Sequence, residues 1–163
     1  MKKQLLATLF IFISPLLFVA CVSSILKENP PSFSTDVTIK KPSPQFVKLA
    51  QAIYPSWKNQ QTGNVISIIS DCESSLSLLQ LHKLVEDNVS DLKIINEEGT
   101  FLNNKPAITK IITGLIDGSP IEILSLSFKR KSCGYVSSLS GKAGTLQTDK
   151  NEFDQFNLNL RFE

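Results

Sequence analysis

The sequence predicts an α+β fold, an antiparallel sheet with helices packed on it, in one small domain. Three observations predict this fold class: a β-branched run at residues 65–70, an Asp-Gly pair at residues 117–118 between two apolar runs, and apolar residues at helical spacing in residues 151–162. Several strand signals, one of them a hairpin, combined with two helical segments are typical of a mainly antiparallel sheet with helices on it.

The first two elements are a strand and a helix. The sequence VISIIS at residues 65–70 predicts a buried strand because it is short, apolar and β-branched. Residues 74–89 predict a helix, since apolar residues recur there at helical spacing. The apolar positions and the possible N-caps of this helix are Leu78, Leu81, Leu84, Val85, Ser74 and Ser75.

The middle of the chain predicts strands. Apolar runs at residues 105–116 and 120–128 flank the sequence Asp-Gly-Ser at 117–119, and Asp-Gly between apolar runs is a strong hairpin signal. Residues 91–98 and 134–139 predict a strand on either side of this hairpin. Together these segments predict a sheet of several antiparallel strands.

The last segment, residues 151–162, predicts a helix that packs on the sheet. Phe153, Phe156 and Leu160 fall on one helical face, and Asp149 or Asn151 could cap its start. Trp57, which follows Tyr54 and Pro55, is interpreted as a core residue more readily than as a ligand platform.

The first 20 residues have the pattern of a secretory signal peptide. A basic head at Lys2 and Lys3 precedes an apolar run from Leu5 to Ala20. The alternative is a permanent transmembrane helix, but this run is shorter than the roughly 20 apolar residues that span a bilayer, and Pro15 would bend it.

The end of this leader, LFVAC, resembles the lipobox of bacterial lipoproteins. Ala20 matches the small residue before the cleavage site, and Cys21 matches the invariant cysteine. The resemblance implies that Cys21 is lipidated, with palmitate among its acyl chains, and several acyl chains anchor a protein stably. Val22, in place of an aspartate, implies the outer membrane of a Gram-negative cell. The alternative is an ordinary signal peptide that ends near a cysteine.

Three regions therefore follow one another along the chain. Residues 1–20 are predicted to be the signal peptide, and residues 45–163 the globular domain. Between them, residues 21–44 comprise the lipidated cysteine and a tether rich in proline and serine, which disfavours a helix or a central strand.

The net charge argues against nucleic-acid binding. Loss of Lys2 and Lys3 with the signal peptide lowers the 17 Lys and Arg of the chain to 15, equal to its 15 Asp and Glu. A neutral mature chain lacks the broad positive potential that attracts nucleic acids. The basic sequence KRK at residues 129–131 is explained by solubility at a hairpin end more readily than by contact with anionic lipids.

The two remaining cysteines, Cys72 and Cys133, predict a disulfide. Exported proteins favour disulfides, and an even number of cysteines remains once Cys21 is lipidated. A metal site would need more ligands than these cysteines and His82, and a redox pair would need the spacing CxxC. No metal and no cofactor are therefore predicted.

No catalytic motif is present. A packed or surface position is favoured for His82, the only histidine, since no nucleophile lies at a recognisable spacing from it. The serines form no GxSxG motif, and SGKAGT at residues 140–145 lacks the spacing of a phosphate-binding loop. The acidic residues have the pattern of a solvated surface.

The segments GNVISIISDCESSLSLLQL, FLNNKPAITKIITGLIDGSPIEILSLSF, KRKSCGYVSSLSG and NEFDQFNLNLRF resemble small bacterial lipoproteins of the PsbP-like and DcrB-like α/β sandwich type. The resemblance covers most of residues 63–162 and implies a non-enzymatic accessory role. The segment at 46–60 matches less well.

Two classes of function remain after these observations. The first is a non-catalytic binding or assembly module of the cell envelope, held at the membrane by its lipid and facing the periplasm, with an envelope protein or an apolar ligand as partner. The second is a small envelope hydrolase with scattered catalytic residues. An auxiliary lipoprotein of a lipid transport system is a further possibility, and it predicts a large apolar groove.

Overall fold

A computed structural model describes residues 33–162 of the protein, and their main feature is a seven-stranded antiparallel sheet. The strands are β1 (Val37–Thr38), β2 (Phe46–Lys48), β3 (Ser56–Asn59), β4 (Val65–Asp71), β5 (Ser90–Leu102), β6 (Lys105–Ile116), β7 (Ser119–Arg130), β8 (Cys133–Lys142) and β9 (Arg161–Phe162). The helices are α1 (Leu78–Leu81), α2 (Lys83–Glu86) and α3 (Lys150–Leu158), with a 3-10 turn at Leu146–Thr148.

The strand order in the sheet is β2-β3-β4-β8-β7-β6-β5, and β1 pairs with β9 in a separate two-stranded sheet. All pairings are antiparallel. The predicted α+β class is therefore confirmed. The predicted hairpin is also present, because β6 and β7 are joined by Asp117 and Gly118, whose φ angles of 50° and 74° match the positive values of a type I′ turn.

The sheet has two different faces. The face that carries α3 holds the main core, in which the rings of Trp57 and Phe156 lie 5.6 Å apart. We call it the α3 face. Its buried residues from the sheet and the helix include Ile66, Ile68, Leu124, Leu126, Phe128, Tyr135, Leu139, Phe153 and Phe156. The burial of Trp57 confirms its interpretation as a core residue.

The opposite face carries α1 and α2, and we call it the α1 face. Leu81 lies against Gly134 of β8, where a methyl group on the glycine would come within 2.6 Å of the leucine side chain. Ile112 and Val136 are buried on this side. Several serines share the face with them, so this layer is more polar than the α3 face.

The predicted helix at residues 74–89 is wrong in its length and in its cap. Two single-turn helices are present instead, separated at His82. Ser77, rather than Ser74 or Ser75, caps the start: its hydroxyl accepts from the backbone N–H of Gln80, whose side chain accepts from the N–H of Ser77. The break at His82 coincides with a buried contact of its ring with the sheet, which local spacing does not show.

The closing helix is shorter than predicted. It ends at Leu158, so Leu160 is buried in the connection to β9 and not on the helix. Asp149 stands at the N-cap position, yet its side chain makes no capping hydrogen bond. Its carboxylate instead accepts hydrogen bonds from the side chains of Asn59, Thr62 and Asn64.

The tether predicted for residues 21–44 extends less far than expected. From residue 33 the chain packs on the domain, and the backbone N–H of Ser34 donates to the hydroxyl of Ser70 at 2.8 Å. Pairing of β1 with β9 holds the same segment. The domain therefore begins by residue 33 and not at 45, because extended backbone at a sheet edge accommodates this composition. No helix in residues 33–162 is long and apolar enough to cross a membrane.

Candidate functional site: the groove beside helix α3

Helix α3 is fixed over the middle of the sheet by polar contacts at both ends. At its start, Asp149 is 5 % exposed and accepts from Asn59 Nδ2 and Asn64 Nδ2, both at 2.8 Å. Near its end, Asn157 Oδ1 accepts from the hydroxyl of Ser137 at 2.5 Å. These contacts hold the helix against β8, and the edge strand β5 remains largely exposed.

A groove of about 290 Å³ lies between α3 and the outer strands β5, β6 and β7. We call it the α3 groove. Its apolar lining comes from both walls and comprises Phe101, Leu102, Ile111, Leu124, Leu126, Phe153 and Leu158. Its polar lining comprises Asn96, Glu98, Thr100, Thr109, Lys150, Asp154 and Asn157. An apolar floor with polar side chains around it is the usual composition of a ligand pocket.

Two exposed apolar residues mark the mouth of the groove. Leu158 is 48 % exposed and Phe101 is 74 % exposed. On the helix side the exposed pair Lys150 and Asp154 is joined by a contact of 2.7 Å. Large apolar side chains left open beside a groove are typical of a binding surface. The groove can therefore hold a short apolar group and surround it with hydrogen-bonding side chains.

Sequence reasoning did not find the groove. The alternation of Leu124 and Leu126 with serines showed which residues share a face of β7, but it could not show how far α3 reaches across that face. A signal was present in Leu158, an apolar residue off the predicted buried face of the closing helix.

His82 lies in the interior of the domain. It is fully buried, and its Nδ1 lies 2.8 Å from the hydroxyl of Ser125, which is 1 % exposed. Burial, and after it the nearby positive charge of Lys110, lower the pKa of His82 to about 4. The imidazole is therefore neutral at pH 7. Since both partners are buried, this pair cannot meet a substrate in the described structure.

An ion-pair cluster centred on the buried Lys110 lies near this histidine. Lys110 of β6 is 5 % exposed, and its Nζ lies 3.1 Å from Glu86 Oε1 and 3.0 Å from Glu97 Oε2. Burial alone would lower the pKa of Lys110, but its hydrogen bonds to Glu97 and Glu86 outweigh this and raise it. The sequence carried a signal for this cluster, because a lysine stands between Ile108 and Ile112 on one face of a strand.

The structure joins Cys72 to Cys133 by a disulfide, as the cysteine count predicted. The bond links the residue after β4 to the start of β8, its neighbour in the sheet. Cys72 is exposed and Cys133 is buried. Within residues 33–162 no group of three or more His, Cys, Asp or Glu side chains is placed to hold a metal ion. Cys21 and the predicted signal peptide at residues 1–20 lie outside the described residues.

Comparisons with known proteins give likeness at the level of the fold. No protein-family model and no curated protein matches the sequence. The solution structure of cyanobacterial PsbP (CyanoP) from Synechocystis is similar, with a TM-score of 0.56 and 15 % identity over 81 % of this chain and 91 % of CyanoP. The fold is PsbP-like. A Pseudomonas aeruginosa protein of unknown function has a TM-score of 0.50 and 12 % identity over 76 % of this chain and 85 % of that one.

Proposed function

We propose that this protein is a non-catalytic accessory module of the cell envelope that is anchored to a membrane through Cys21 and binds a short apolar ligand segment in the α3 groove. The groove is the observation that carries the proposal. It combines apolar side chains from both walls with an opening beside Leu158, and the polar contacts of Asp149 and Asn157 keep α3 from closing it.

The volume of the groove favours a short segment over a whole lipid. Pockets for small ligands occupy roughly 300–1,000 Å³, and the groove holds about 290 Å³. This space suits a few apolar side chains of a protein partner, or part of one acyl chain. It supports a binding or assembly module more strongly than a carrier of a complete lipid.

The interior position of His82 favours this function over a hydrolase. A general base must reach a substrate proton within hydrogen-bond distance, whereas His82 is fully buried against Ser125. The partner of the module is an envelope protein or an apolar ligand, and the neutral mature chain gives no reason to expect a nucleic acid.

The proposed location is the outer membrane of a Gram-negative cell, with the domain in the periplasm. The support is the lipobox-like sequence at Phe18–Cys21 and the valine at position 22.

Labelling of growing cells with radioactive palmitate tests the anchor. The wild type should incorporate label and the Cys21→Ser variant should not. A variant with both Cys72→Ser and Cys133→Ser should keep the label. Incorporation of label into Cys21→Ser would contradict the proposed anchor.

The groove is tested by photo-crosslinking in cells with benzoylphenylalanine at position 158. Position 79 is the matched control, because Leu79 is also a helical leucine, is 45 % exposed against 48 % for Leu158, and belongs to α1 on the opposite face. Position 158 should give one discrete adduct under ultraviolet light, and position 79 should not. A Thr100→Trp change, which fills the groove, should abolish the adduct.

Mass spectrometry of the adduct then separates the alternatives. A peptide of an envelope protein supports an assembly module, and a lipid acyl chain supports an auxiliary role in lipid transport. Equal crosslinking from positions 158 and 79, or an adduct that survives Thr100→Trp, would contradict binding in the α3 groove.

A further inference from the structure

Two hairpin tips lie side by side at one end of the sheet. The β5–β6 turn consists of Asn103 and Asn104, and the β7–β8 turn includes Lys131. The guanidinium of Arg130 joins them, because its Nη2 donates to the backbone carbonyl of Leu102 at 2.8 Å. We call this region, residues 101–105 together with 129–133, the hairpin end.

The chain that leads to Cys21 leaves the domain at the same end. Ser34 donates its backbone N–H to Ser70, close to the end of β4, and its hydroxyl lies 3.1 Å from the hydroxyl of Tyr135 and 3.8 Å from Cys133 Sγ. Cys133 opens β8 at the hairpin end. Residues 22–32 span at most about 40 Å when fully extended. The described chain therefore begins at the hairpin end, and a lipid on Cys21 would attach on that side of the domain.

The surface of the hairpin end combines basic and aromatic groups. Lys105, Lys129 and Lys131 are exposed, and Phe101 is exposed over 74 % of its surface. Lysines near a membrane surface are attracted to anionic lipids, and exposed phenylalanine partitions into the boundary between headgroups and acyl chains. A surface that combines exposed lysines with an exposed phenylalanine is therefore suited to contact with an anionic bilayer.

Acidic groups at this end offset part of the positive charge. Asp36 lies near Lys131, and hydrogen bonds from Ser34 and then from Tyr135 hold the pKa of Asp36 below its usual value. Asp71 lies near Lys129. Charge alone therefore gives modest attraction, and the exposed Phe101 at the same end of the sheet supplies an apolar contribution.

We propose that the hairpin end rests on the anionic phospholipid surface of the membrane in which Cys21 is anchored. The proposal depends on the proposed lipid anchor and adds an orientation to it. Phe101 also lines the α3 groove, so the groove opens beside the lipid surface. The β6–β7 turn at Asp117 and Gly118 lies at the opposite end of the sheet, and the proposed orientation directs it away from the membrane.

The experiment uses the full lipoprotein reconstituted in vesicles of phosphatidylethanolamine and brominated phosphatidylglycerol, whose bromine atoms quench tryptophan fluorescence. The Phe101→Trp variant keeps an aromatic ring at the hairpin end, and Ser119→Trp places the same reporter at the opposite end. The wild type supplies the background, because its only tryptophan, Trp57, is 6 % exposed.

We expect loss of emission from the Phe101→Trp variant and emission at the unquenched level from Ser119→Trp and the wild type. Adding Lys129→Glu and Lys131→Glu, or separately Lys105→Glu, to Phe101→Trp should restore emission, as should brominated phosphatidylcholine in place of phosphatidylglycerol. Two charge variants are used so that loss of folding in one does not decide the result.

Sedimentation of the vesicles separates the two levels of the proposal. Protein that sediments with vesicles while both reporters stay unquenched keeps its anchor and overturns the orientation. Equal quenching at positions 101 and 119 also overturns it. Protein that fails to sediment lacks the anchor, and the proposed function and the orientation then fall together.

Discussion

His82 Nδ1 and the hydroxyl of Ser125 lie 2.8 Å apart in the interior of the α1 face, and this contact joins the break between α1 and α2 to the centre of the sheet. Both residues are almost completely buried. The sheet below them contributes Lys110, whose positive charge disfavours protonation of the imidazole. The packing of the α1 face therefore requires a neutral histidine.

Stability should fall in acid because of this histidine. The folded pKa of about 4 lies below the usual histidine pKa of 6.5, so the folded state binds fewer protons than the unfolded one. The stabilisation is complete above the unfolded pKa and is lost as the pH falls from 6.5 towards 4. A shift of this size corresponds to roughly 3 kcal/mol. Urea unfolding across this range should show the loss in the wild type and a smaller one in His82→Gln. If the free energy of unfolding fell equally with pH in the two proteins, the lost stability could not be assigned to His82.

Gly141→Ala should destabilise the domain. A Cβ atom at position 141 would lie 1.9 Å from Asn64 Oδ1. Asn64 cannot move aside, since its side chain contacts Asp149 and both the hydroxyl and the carbonyl of Thr145. We expect a loss of about 1–3 kcal/mol in the free energy of unfolding, measured by urea titration.

The control for this change is Gly99→Ala on the edge strand β5, where no atom lies within 4 Å of the added methyl group. Its free energy of unfolding should change little or rise slightly. Equal losses for Gly99→Ala and Gly141→Ala would show that backbone freedom, and not the contact with Asn64, decides the result.

Asp149→Asn should be far more harmful than Asp154→Asn. The Asp149 carboxylate accepts from three side chains, and in either orientation an amide there would turn its N–H₂ group towards at least one of these donors. A buried donor or acceptor left without a partner costs about 1–3 kcal/mol. Asp154 makes an exposed pair with Lys150, worth less than about 1 kcal/mol. Thermal unfolding of both variants checks the difference, and equal melting temperatures would contradict the role of Asp149.

Removal of the disulfide should lower stability. Cys72 and Cys133 are separated by 61 positions, so the bond restricts a large loop in the unfolded chain. The chain-entropy estimate for such a loop is about 4 kcal/mol, an upper value. The Cys72→Ser and Cys133→Ser double variant should unfold at a lower urea concentration than the oxidised wild type. Reduced wild type should behave like the variant, and a midpoint that does not change on reduction would contradict the effect.

Local patterns predicted the parts of the fold that local physics determines. Asp117 and Gly118 adopt positive φ angles readily, so the β6–β7 hairpin could be predicted from a few residues. The two-residue strand β1 could not, because Val37 and Thr38 pair with residues at the other end of the domain. The break at His82 and the buried Lys110 also depend on partners on distant strands. The α3 groove depends on the position of a whole helix, which no sequence window contains.

Pairing of β1 with β9 also sets the order in which an exported chain can finish folding. The first strand of the domain has its hydrogen-bonding partner at Arg161–Phe162. In a chain that crosses a membrane with its N-terminal side first, Val37 and Thr38 cannot pair until those two residues emerge. Phe162 also completes an aromatic cluster only then, because its ring packs edge-on against the stacked rings of Phe128 and Tyr135. The fold of residues 33–162 is thus completed only when the last residues of the domain are available.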